Sequence, residues 1–276
     1  MALIDEKGKV FNKEIVDYSK DKSTKYILEQ INSYVTKYES KVKAIGIGVP
    51  GIIKNNKIAY TCNLSLEDPQ FVKKIHTKLP VYLANDALCA MLAEYQVVDN
   101  CKYENYALIT IGTGIGAGFV FNGKIYNGRN GYSGEVGHMV IKKDGIQCNC
   151  GRKGCFEKYA SVTRLLNYSK NKSLSEFFTR VEKEPELAKF FDSYLDDLAD
   201  GIANIIMIND FDMLVIGGSL AWFGNNFYYV LRAKIASRLF NRSERDVRIK
   251  FAKLGNDAGL IGAGLLASEF IKGCVN

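Results

Sequence analysis

One short, glycine-rich segment of the sequence contains four side chains that commonly bind metals: His138, Cys148, Cys150 and Cys155. Three thiolates and one imidazole form the closed tetrahedral ligand set of a structural Zn²⁺ site. The alternative is a disulfide between two of these cysteines, with one thiol left free. The N-terminus does not resemble a secretory signal, and a cytosolic chain keeps its thiols reduced. The spacing therefore favours zinc.

A carboxylate that follows a predicted strand is a second candidate for chemistry. Pro80–Ala84 reads as a strand, Asn85 and Asp86 come directly after it, and an amphipathic helix follows. Asp86 can cap that helix by accepting its unpaired backbone N–H groups. It can also act as a general base that takes a proton from an attacking hydroxyl. The residues alone favour the cap.

A run of glycines forms a third candidate site. Tyr106–Ile111 is a predicted strand, and the run 112–118 contains Gly112, Thr113, Gly114 and Gly116 before a second predicted strand at 119–121. Backbone N–H groups in such a run can form a concavity that binds phosphate oxygens. The run also contains the glycine spacing of a dinucleotide fingerprint, but that motif requires a helix next. A phosphate-binding hairpin is therefore the favoured interpretation, and a plain glycine-rich hairpin is the weaker one.

A fourth candidate lies after the buried-looking strand Met213–Ile216, which ends in Gly217 and Gly218. α/β proteins often accept a nucleotide at the carboxyl end of such a strand. A purely structural turn is equally consistent with the residues.

Strands and helices alternate along the chain, and this order predicts an α/β protein in two lobes. We expect an N-terminal lobe over residues 1–105 and a C-terminal lobe over residues 106–257, with a last helix at about 258–276 that packs back on the first lobe. Predicted elements away from the sites include strands at 2–4, 9–16, 42–49 and 247–252, and helices at 22–38, 71–78, 174–180, 186–200, 198–208 and 227–239.

The composition limits the kind of partner. The net charge is +7, but the lysines are spread along the chain and are not grouped beside aromatic residues, so we expect no nucleic acid partner. The longest apolar runs are far shorter than a membrane span, so we expect no membrane partner. Seven cysteines are an odd number for a disulfide framework and suit the cytoplasm.

Three motifs around the zinc segment resemble the ROK family (repressors, open reading frames and sugar kinases). They are Gly-Glu-Val-Gly-His-Met, Cys-x-Cys-x4-Cys-x-Glu and Glu-Lys-Tyr-Ala-Ser. Leu-Ala-Asn-Asp-Ala-Leu-Cys-Ala, around Asp86, is similar to the family's Asn-Asp-Ala-Asn-Ala-Ala, although Leu88 replaces the second Asn. The similarity extends from about Pro50 to Leu266. It implies the two-lobed ribonuclease-H-like (actin-like ATPase) fold with a zinc-binding loop.

The resemblance also implies roles for individual residues. His138 and the three cysteines would bind the zinc, and Asp86 would be the catalytic base. The side chains that would bind the sugar are Asn63, Asn85, Glu135, His138 and Glu157. The residues that would lie at the nucleotide are Gly112, Thr113, Gly114, Gly116, Gly217 and Gly218.

The activity that the resemblance implies is ATP-dependent phosphorylation of a hexose or β-glucoside by a cytoplasmic homodimer, with Mg²⁺ bridging the phosphates. Positioning and charge stabilisation supply most of the catalysis of phosphoryl transfer, so glycine loops and one carboxylate can suffice. The main alternative is a catalytically impaired sugar-binding relative. A sugar-responsive regulator is a further alternative, which we consider weaker because such regulators carry a helix-turn-helix domain.

The start of the sequence differs from the family pattern. Family kinases open with a strand and an Asp-x-Gly-Gly-Thr loop, and this chain begins Met-Ala-Leu-Ile-Asp-Glu-Lys-Gly. A missing central strand would leave backbone groups of its neighbours unpaired. We therefore expect that Met1 is an internal methionine of a longer product or that the chain is a truncated paralogue, and that the 276-residue form is at best a weak kinase.

Overall fold

The computed structural model describes residues 1–17, 21–61, 66, 68–241 and 248–272. The chain is an α/β protein, as the order of elements predicted. It divides into two compact units. The first consists of Met1–Lys102, Ile125–Ser133 and Asn256–Asn276, and the second of Tyr103–Lys124 and Gly134–Gly255.

Strands and helices alternate along most of the chain. The strands are β1 (Leu3–Ile4), β2 (Val10–Phe11), β3 (Ile45–Val49), β4 (Gly51–Lys54), β5 (Lys57–Thr61), β6 (Val81–Asn85), β7 (Tyr106–Ile111), β8 (Ile115–Phe121), β9 (Lys124–Ile125), β10 (Met213–Gly217) and β11 (Ile249–Phe251). The α-helices are α1 (Thr24–Tyr38), α2 (Asp86–Ala93), α3 (Glu157–Ala160), α4 (Val162–Ser169), α5 (Leu174–Val181), α6 (Pro185–Asn209), α7 (Tyr228–Arg238) and α8 (Ala258–Lys272).

The first unit is built from three strand pairs. β1 and β2 are antiparallel, β3 and β6 are parallel, and β4 and β5 form a hairpin. Helix α1 buries Leu28 and Val35 in a core that includes residues of β3 and β6. Helix α8 packs closely on β3 and α2, since a Cβ at Gly46 would lie 1.8 Å from the Ala263 carbonyl oxygen and one at Gly262 would lie 1.7 Å from that of Cys89. Only glycine allows these contacts.

The second unit contains a five-stranded sheet in the order β11-β10-β7-β8-β9. β10 is parallel to both β7 and β11, whereas β7 and β8 are antiparallel. All five residues of β10 are buried, which explains its continuous apolar sequence. The long helix α6 covers the core with buried residues that include Leu198 and Ile202.

Several sequence-based boundaries need correction. The predicted strand at 9–16 ends at Phe11, because Asn12 adopts a left-handed φ of 48° that breaks the ladder. The predicted helix at 71–78 is one 3₁₀ turn, Val72–Lys74, and Ile75 is already extended. The helices predicted at 186–200 and 198–208 form the single helix α6. Over the residues that the structure describes, no helix has both the length and the apolar character needed to cross a bilayer.

Candidate functional site

The carboxyl ends of β3 and β6 lie side by side, with Val49 opposite Asn85 in the parallel register. The Asn85 carboxamide joins this edge to α2. Its Oδ1 accepts hydrogen bonds from the backbone N–H groups of Ala87 (2.9 Å) and Leu88 (3.1 Å), and its Nδ2 donates to the Gly51 carbonyl oxygen at 3.0 Å. The cap of α2 is therefore Asn85, and the expectation that favoured Asp86 as the cap is wrong.

Asp86 is the first residue of α2, and its Oδ1 accepts one hydrogen bond, from the Ala87 N–H at 2.9 Å. Asp86 is exposed to solvent over part of its surface, but enough protein surrounds the carboxyl group to desolvate it partly. This partial desolvation raises the pKa of the Asp86 carboxyl, and the backbone hydrogen bond offsets only part of the effect. A carboxylate with a raised pKa is a better proton acceptor than an ordinary surface aspartate.

The glycine run of the second unit forms a tight hairpin between β7 and β8. Ile111 and Ile115 are paired, and the Gly112 N–H donates to the Gly114 carbonyl oxygen at 3.0 Å. The connection between the strands is therefore shorter than predicted, since β8 begins at Ile115 and not at residue 119. Gly116 lies in β8, opposite Thr110.

The start of α4 holds this turn in place. The Val162 N–H donates to the Gly112 carbonyl oxygen at 2.8 Å, and the Thr163 hydroxyl donates to the Thr113 carbonyl oxygen at 2.7 Å. Sequence reasoning missed this contact. The available signal was Ser161, a favourable N-cap residue, whose side chain accepts a hydrogen bond from the Arg164 N–H.

Gly217 and Gly218 lie beside the glycine turn, because β10 is parallel to β7 and pairs Gly217 with Thr110. Gly218 has φ 79°, and a Cβ there would lie 2.4 Å from the Ile111 carbonyl oxygen. No other residue fits this position without strain. The fold thus brings two glycine segments, distant in sequence, to one carboxyl edge of the sheet, where ligands of α/β proteins commonly bind.

The four predicted metal ligands converge. Their donor atoms all lie within 4.8 Å of one another. His138 Nδ1 is 3.6 Å from Cys148 Sγ, and the Sγ atoms of Cys150 and Cys155 are 3.6 Å apart. A tetrahedral Zn²⁺ ion with Zn–S bonds of about 2.3 Å and a Zn–N bond of about 2.0 Å requires separations of about 3.8 Å between sulfurs and about 3.6 Å between sulfur and nitrogen. The donor set therefore fits zinc.

The thiols of this cluster affect one another. All three are free, so the disulfide alternative is not realised in this structure. Burial, together with the neighbouring thiols, raises the pKa of Cys155 to about 12. A bound cation would reverse this effect, because it stabilises thiolates directly.

The ligand segment connects directly to the glycine turn. The Phe156 N–H, next to Cys155, donates to the Met139 carbonyl oxygen at 2.7 Å, and α3 begins at the following residue, Glu157. The Glu157 Oε2 atom accepts a hydrogen bond from the Ile115 N–H at 3.2 Å. A Cβ at Gly114 would lie 2.3 Å from the same oxygen, so a larger residue there would require the Glu157 carboxylate to move.

The remaining predicted residues are placed as follows. Glu135 Oε2 lies 3.8 Å from His138 Nε2, the ring nitrogen that faces away from Cys148. A carboxylate beside the second nitrogen of a metal-binding histidine is a common arrangement. Asn63 lies outside the described residues.

Comparisons with known proteins agree with this geometry. The ROK family model matches residues 1–269. A glucokinase from Halalkalibacterium halodurans is 33% identical over 258 residues, which cover 84% of this chain and 78% of that protein. A putative xylose repressor from a Caldicellulosiruptor species is 30% identical over 86% of this chain, but the match spans only 65% of that protein.

The crystal structure of a ROK glucokinase from Streptomyces griseus in complex with glucose and AMPPNP has the same fold. The TM-score is 0.83 at 24% identity, and the match covers 97% of this chain and 95% of that chain. The fold similarity and the family match extend over nearly all of the sequence. The chain therefore belongs to the ROK family.

Proposed function

We propose that this chain is a sugar kinase that transfers the γ-phosphoryl group of ATP to a hydroxyl of a hexose or a β-glucoside. Its relatives support the reaction, since they include proteins named glucokinase, N-acetyl-D-glucosamine kinase and N-acetylmannosamine kinase. The observation that carries the proposal is the state of Asp86. Asn85 already caps α2, which leaves the Asp86 carboxylate available, with a raised pKa.

In the proposed reaction, Asp86 accepts the proton of the attacking sugar hydroxyl. The sugar oxygen forms a bond to the γ-phosphorus, and the bond from that phosphorus to the bridging oxygen breaks. The electron pair stays on the departing ADP. Mg²⁺, when bound with the nucleotide, would neutralise charge on the phosphate oxygens.

The glycine turn at 112–114 and the Gly217–Gly218 segment would bind the nucleotide. Both segments meet at the carboxyl edge of the second unit's sheet, and small residues there let backbone N–H groups approach phosphate oxygens. Thr113, in the turn, and Gly116, in β8, are also proposed to lie at the nucleotide. We assign the nucleotide to the second unit, in agreement with the predicted C-terminal lobe.

Asn63, Asn85, Glu135, His138 and Glu157 are the proposed sugar-binding residues. For Glu157, the hydrogen bond from Ile115 fixes one carboxylate oxygen in position. A carboxylate that is already oriented binds a sugar hydroxyl with a smaller loss of side-chain entropy.

Zinc, in this proposal, is structural. Four protein ligands leave no open coordination position, so the ion has no direct role in the chemistry. It would order the segment that precedes Glu157. Free thiols at Cys89, Cys148, Cys150 and Cys155 suit the reducing cytoplasm that we propose as the location. The proposed homodimer can be tested by light scattering.

A sugar-binding protein without turnover is the second candidate, and the similarity to a putative repressor is the observation that favours it. An assay that couples ADP release to a panel of glucose, mannose, N-acetylated hexosamines and β-glucosides separates the two. Sugar-dependent ADP release supports the kinase. Sugar binding by calorimetry with no ADP release above the sugar-free rate would overturn it.

A further inference from the structure

A buried tyrosine hydroxyl in the second unit takes no part in the proposed reaction. Tyr194 lies on α6 with 1% of its surface exposed, and its hydroxyl donates a hydrogen bond to the Ala160 carbonyl oxygen at 2.6 Å. Ala160 is the last residue of α3, and carbonyl groups at the end of a helix lack partners within that helix. Burial raises the pKa of Tyr194, so its hydroxyl keeps the proton that this hydrogen bond needs.

The Ala160 carbonyl lies at the joint between two helices. Ser161 follows with an extended backbone (φ −78°, ψ 160°), and α4 begins at Val162. The direction of α4 relative to α3 is therefore set at Ser161, next to the carbonyl group that Tyr194 holds.

Both helices reach from this joint to the same glycine turn. Glu157, at the start of α3, accepts a hydrogen bond from the Ile115 N–H, which follows the turn. The first two residues of α4 donate hydrogen bonds to the carbonyl oxygens of Gly112 and Thr113, which open the turn. Residues 157–163 therefore form a bracket that holds the turn at both of its ends.

The contacts from α4 decide which groups of the turn can bind phosphate. In a trans peptide unit the C=O and the N–H point in opposite directions. The carbonyl groups of Gly112 and Thr113 point to α4, so the N–H groups of Thr113 and Gly114, in the same two peptide units, point away from it. A shift of α4 would turn these N–H groups, and a misplacement of about 1 Å can cost about a hundredfold in rate.

We propose that Tyr194 is a positioning residue for phosphoryl transfer, because it fixes the joint of the bracket that orients both Glu157 and the glycine turn. This inference rests on the proposed function, in which Glu157 binds the sugar and the turn binds the nucleotide. The buried hydroxyl of Tyr194 reaches neither substrate, so it acts through the Ala160 carbonyl. Its loss should change the alignment of the two substrates more than the binding of either one.

The test is Tyr194→Phe, which deletes one oxygen atom and keeps the ring. The matched control is Tyr34→Phe, because the hydroxyl of the buried Tyr34 also donates to a backbone carbonyl oxygen, that of Asn12 at 2.8 Å in the first unit. We expect kcat to fall about tenfold or more in Tyr194→Phe, with changes below about threefold in KM for the sugar and for ATP. Tyr34→Phe should keep the wild-type kcat. The acidic limb of the pH profile should not move in Tyr194→Phe, because the hydroxyl transfers no proton.

Variants of Thr163 test whether the effect passes through the bracket. Thr163→Val removes the hydrogen bond to the Thr113 carbonyl oxygen and should lower kcat as Tyr194→Phe does, whereas Thr163→Ser keeps the hydroxyl and should retain most of kcat. Both substitutions act on one set of contacts, so the fall in kcat of the double variant should be much smaller than the product of the two single falls. Independent, multiplying effects would overturn the proposal.

Hydrogen exchange gives a readout that does not need turnover. The N–H groups of Gly112 and Ile115 are hydrogen-bonded at the turn, and mass spectrometry of segment 109–118 follows their exchange. We expect exchange about tenfold faster in Tyr194→Phe than in wild type, and the wild-type rate in Tyr34→Phe. Equal exchange in Tyr194→Phe and wild type would overturn the proposal, as would a fall in kcat no larger than that of Tyr34→Phe. A wild type without ADP release would contradict the proposed function, and the exchange rates would then decide whether Tyr194 positions the turn.

Discussion

Replacing Cys150 by serine tests the zinc centre with the least side effect on packing. Cys150 is exposed, whereas Cys155 and Cys148 are buried, so a substitution at 150 removes a ligand without opening a hole in the core. The exposed thiol of Cys101, which does not belong to the cluster, provides the matched control Cys101→Ser.

The expected effect follows from the geometry. Two of the donor separations, 3.6 Å each, lie within about 0.2 Å of those that four-coordinate zinc requires, and all four donor atoms lie within 4.8 Å of one another, so binding needs the donors to close by about 1 Å at most. Structural zinc contributes roughly 10–16 kcal/mol to the folding of zinc-finger peptides. If losing one ligand removed only about 3 kcal/mol, the thermal midpoint would fall by roughly 6–12 °C, at about 2–4 °C per kcal/mol for a domain of this size.

The assay is atomic absorption on purified protein, followed by calorimetry with and without a zinc chelator. We expect one equivalent of zinc in wild type and in Cys101→Ser, less zinc and a lower midpoint in Cys150→Ser, and a midpoint in wild type that falls with chelator. Sugar affinity should decrease in Cys150→Ser as well, because the ligand segment precedes Glu157. Zinc-free wild type with a chelator-independent midpoint would refute the reasoning, as would a Cys150→Ser variant with full zinc content and an unchanged midpoint.

Glu157→Gln can keep the hydrogen bond from Ile115 but loses the charge, so KM for the sugar should rise about tenfold with a smaller change in kcat; steady-state kinetics showing the reverse pattern would contradict a sugar-binding role. Only the deprotonated Asp86 carboxylate can accept the proton, so kcat/KM for the sugar should fall as the pH drops through the pKa of Asp86. Because that pKa is raised, the fall should occur at a higher pH than for an ordinary aspartate. A pH profile that is flat down to pH 4 would exclude Asp86 as the base. Gly218→Ala should lower the thermal midpoint and raise KM for ATP, since its Cβ would meet the Ile111 carbonyl oxygen. The control is Gly123→Ala, which has φ 71° and no atom within 4 Å of its Cβ, so it measures the backbone strain alone, about 1–2 kcal/mol. Equal thermal midpoints and equal KM values for the two variants would contradict the steric argument.

The metal ligands were predictable because they are close in sequence, and a short glycine-rich segment leaves few ways to arrange them. The two glycine segments were recognisable separately. Their meeting depends on the parallel pairing of β7 with β10, which brings Thr110 beside Gly217 across about a hundred residues of chain. Periodicity within either segment contains no information about that pairing.

The cap of α2 shows where local reasoning fails. Asn and Asp are almost equally good N-cap residues, so propensity cannot decide between Asn85 and Asp86. The Gly51 carbonyl oxygen favours an amide at position 85, because it accepts a hydrogen bond from the Asn85 Nδ2 and would repel a carboxylate there. Gly51 begins β4, two residues after the end of β3, and the parallel pairing of β3 with β6 brings it near Asn85.

The most direct test of the central claim compares sugar-dependent ADP release by wild type and by Asp86→Asn, with sugar binding measured in parallel by calorimetry. The amide can still form hydrogen bonds but cannot accept the proton. Loss of a general base typically lowers the rate about a hundredfold to ten-thousandfold. We predict a decrease of this size in kcat with sugar affinity retained. Near-normal turnover in Asp86→Asn would contradict the account.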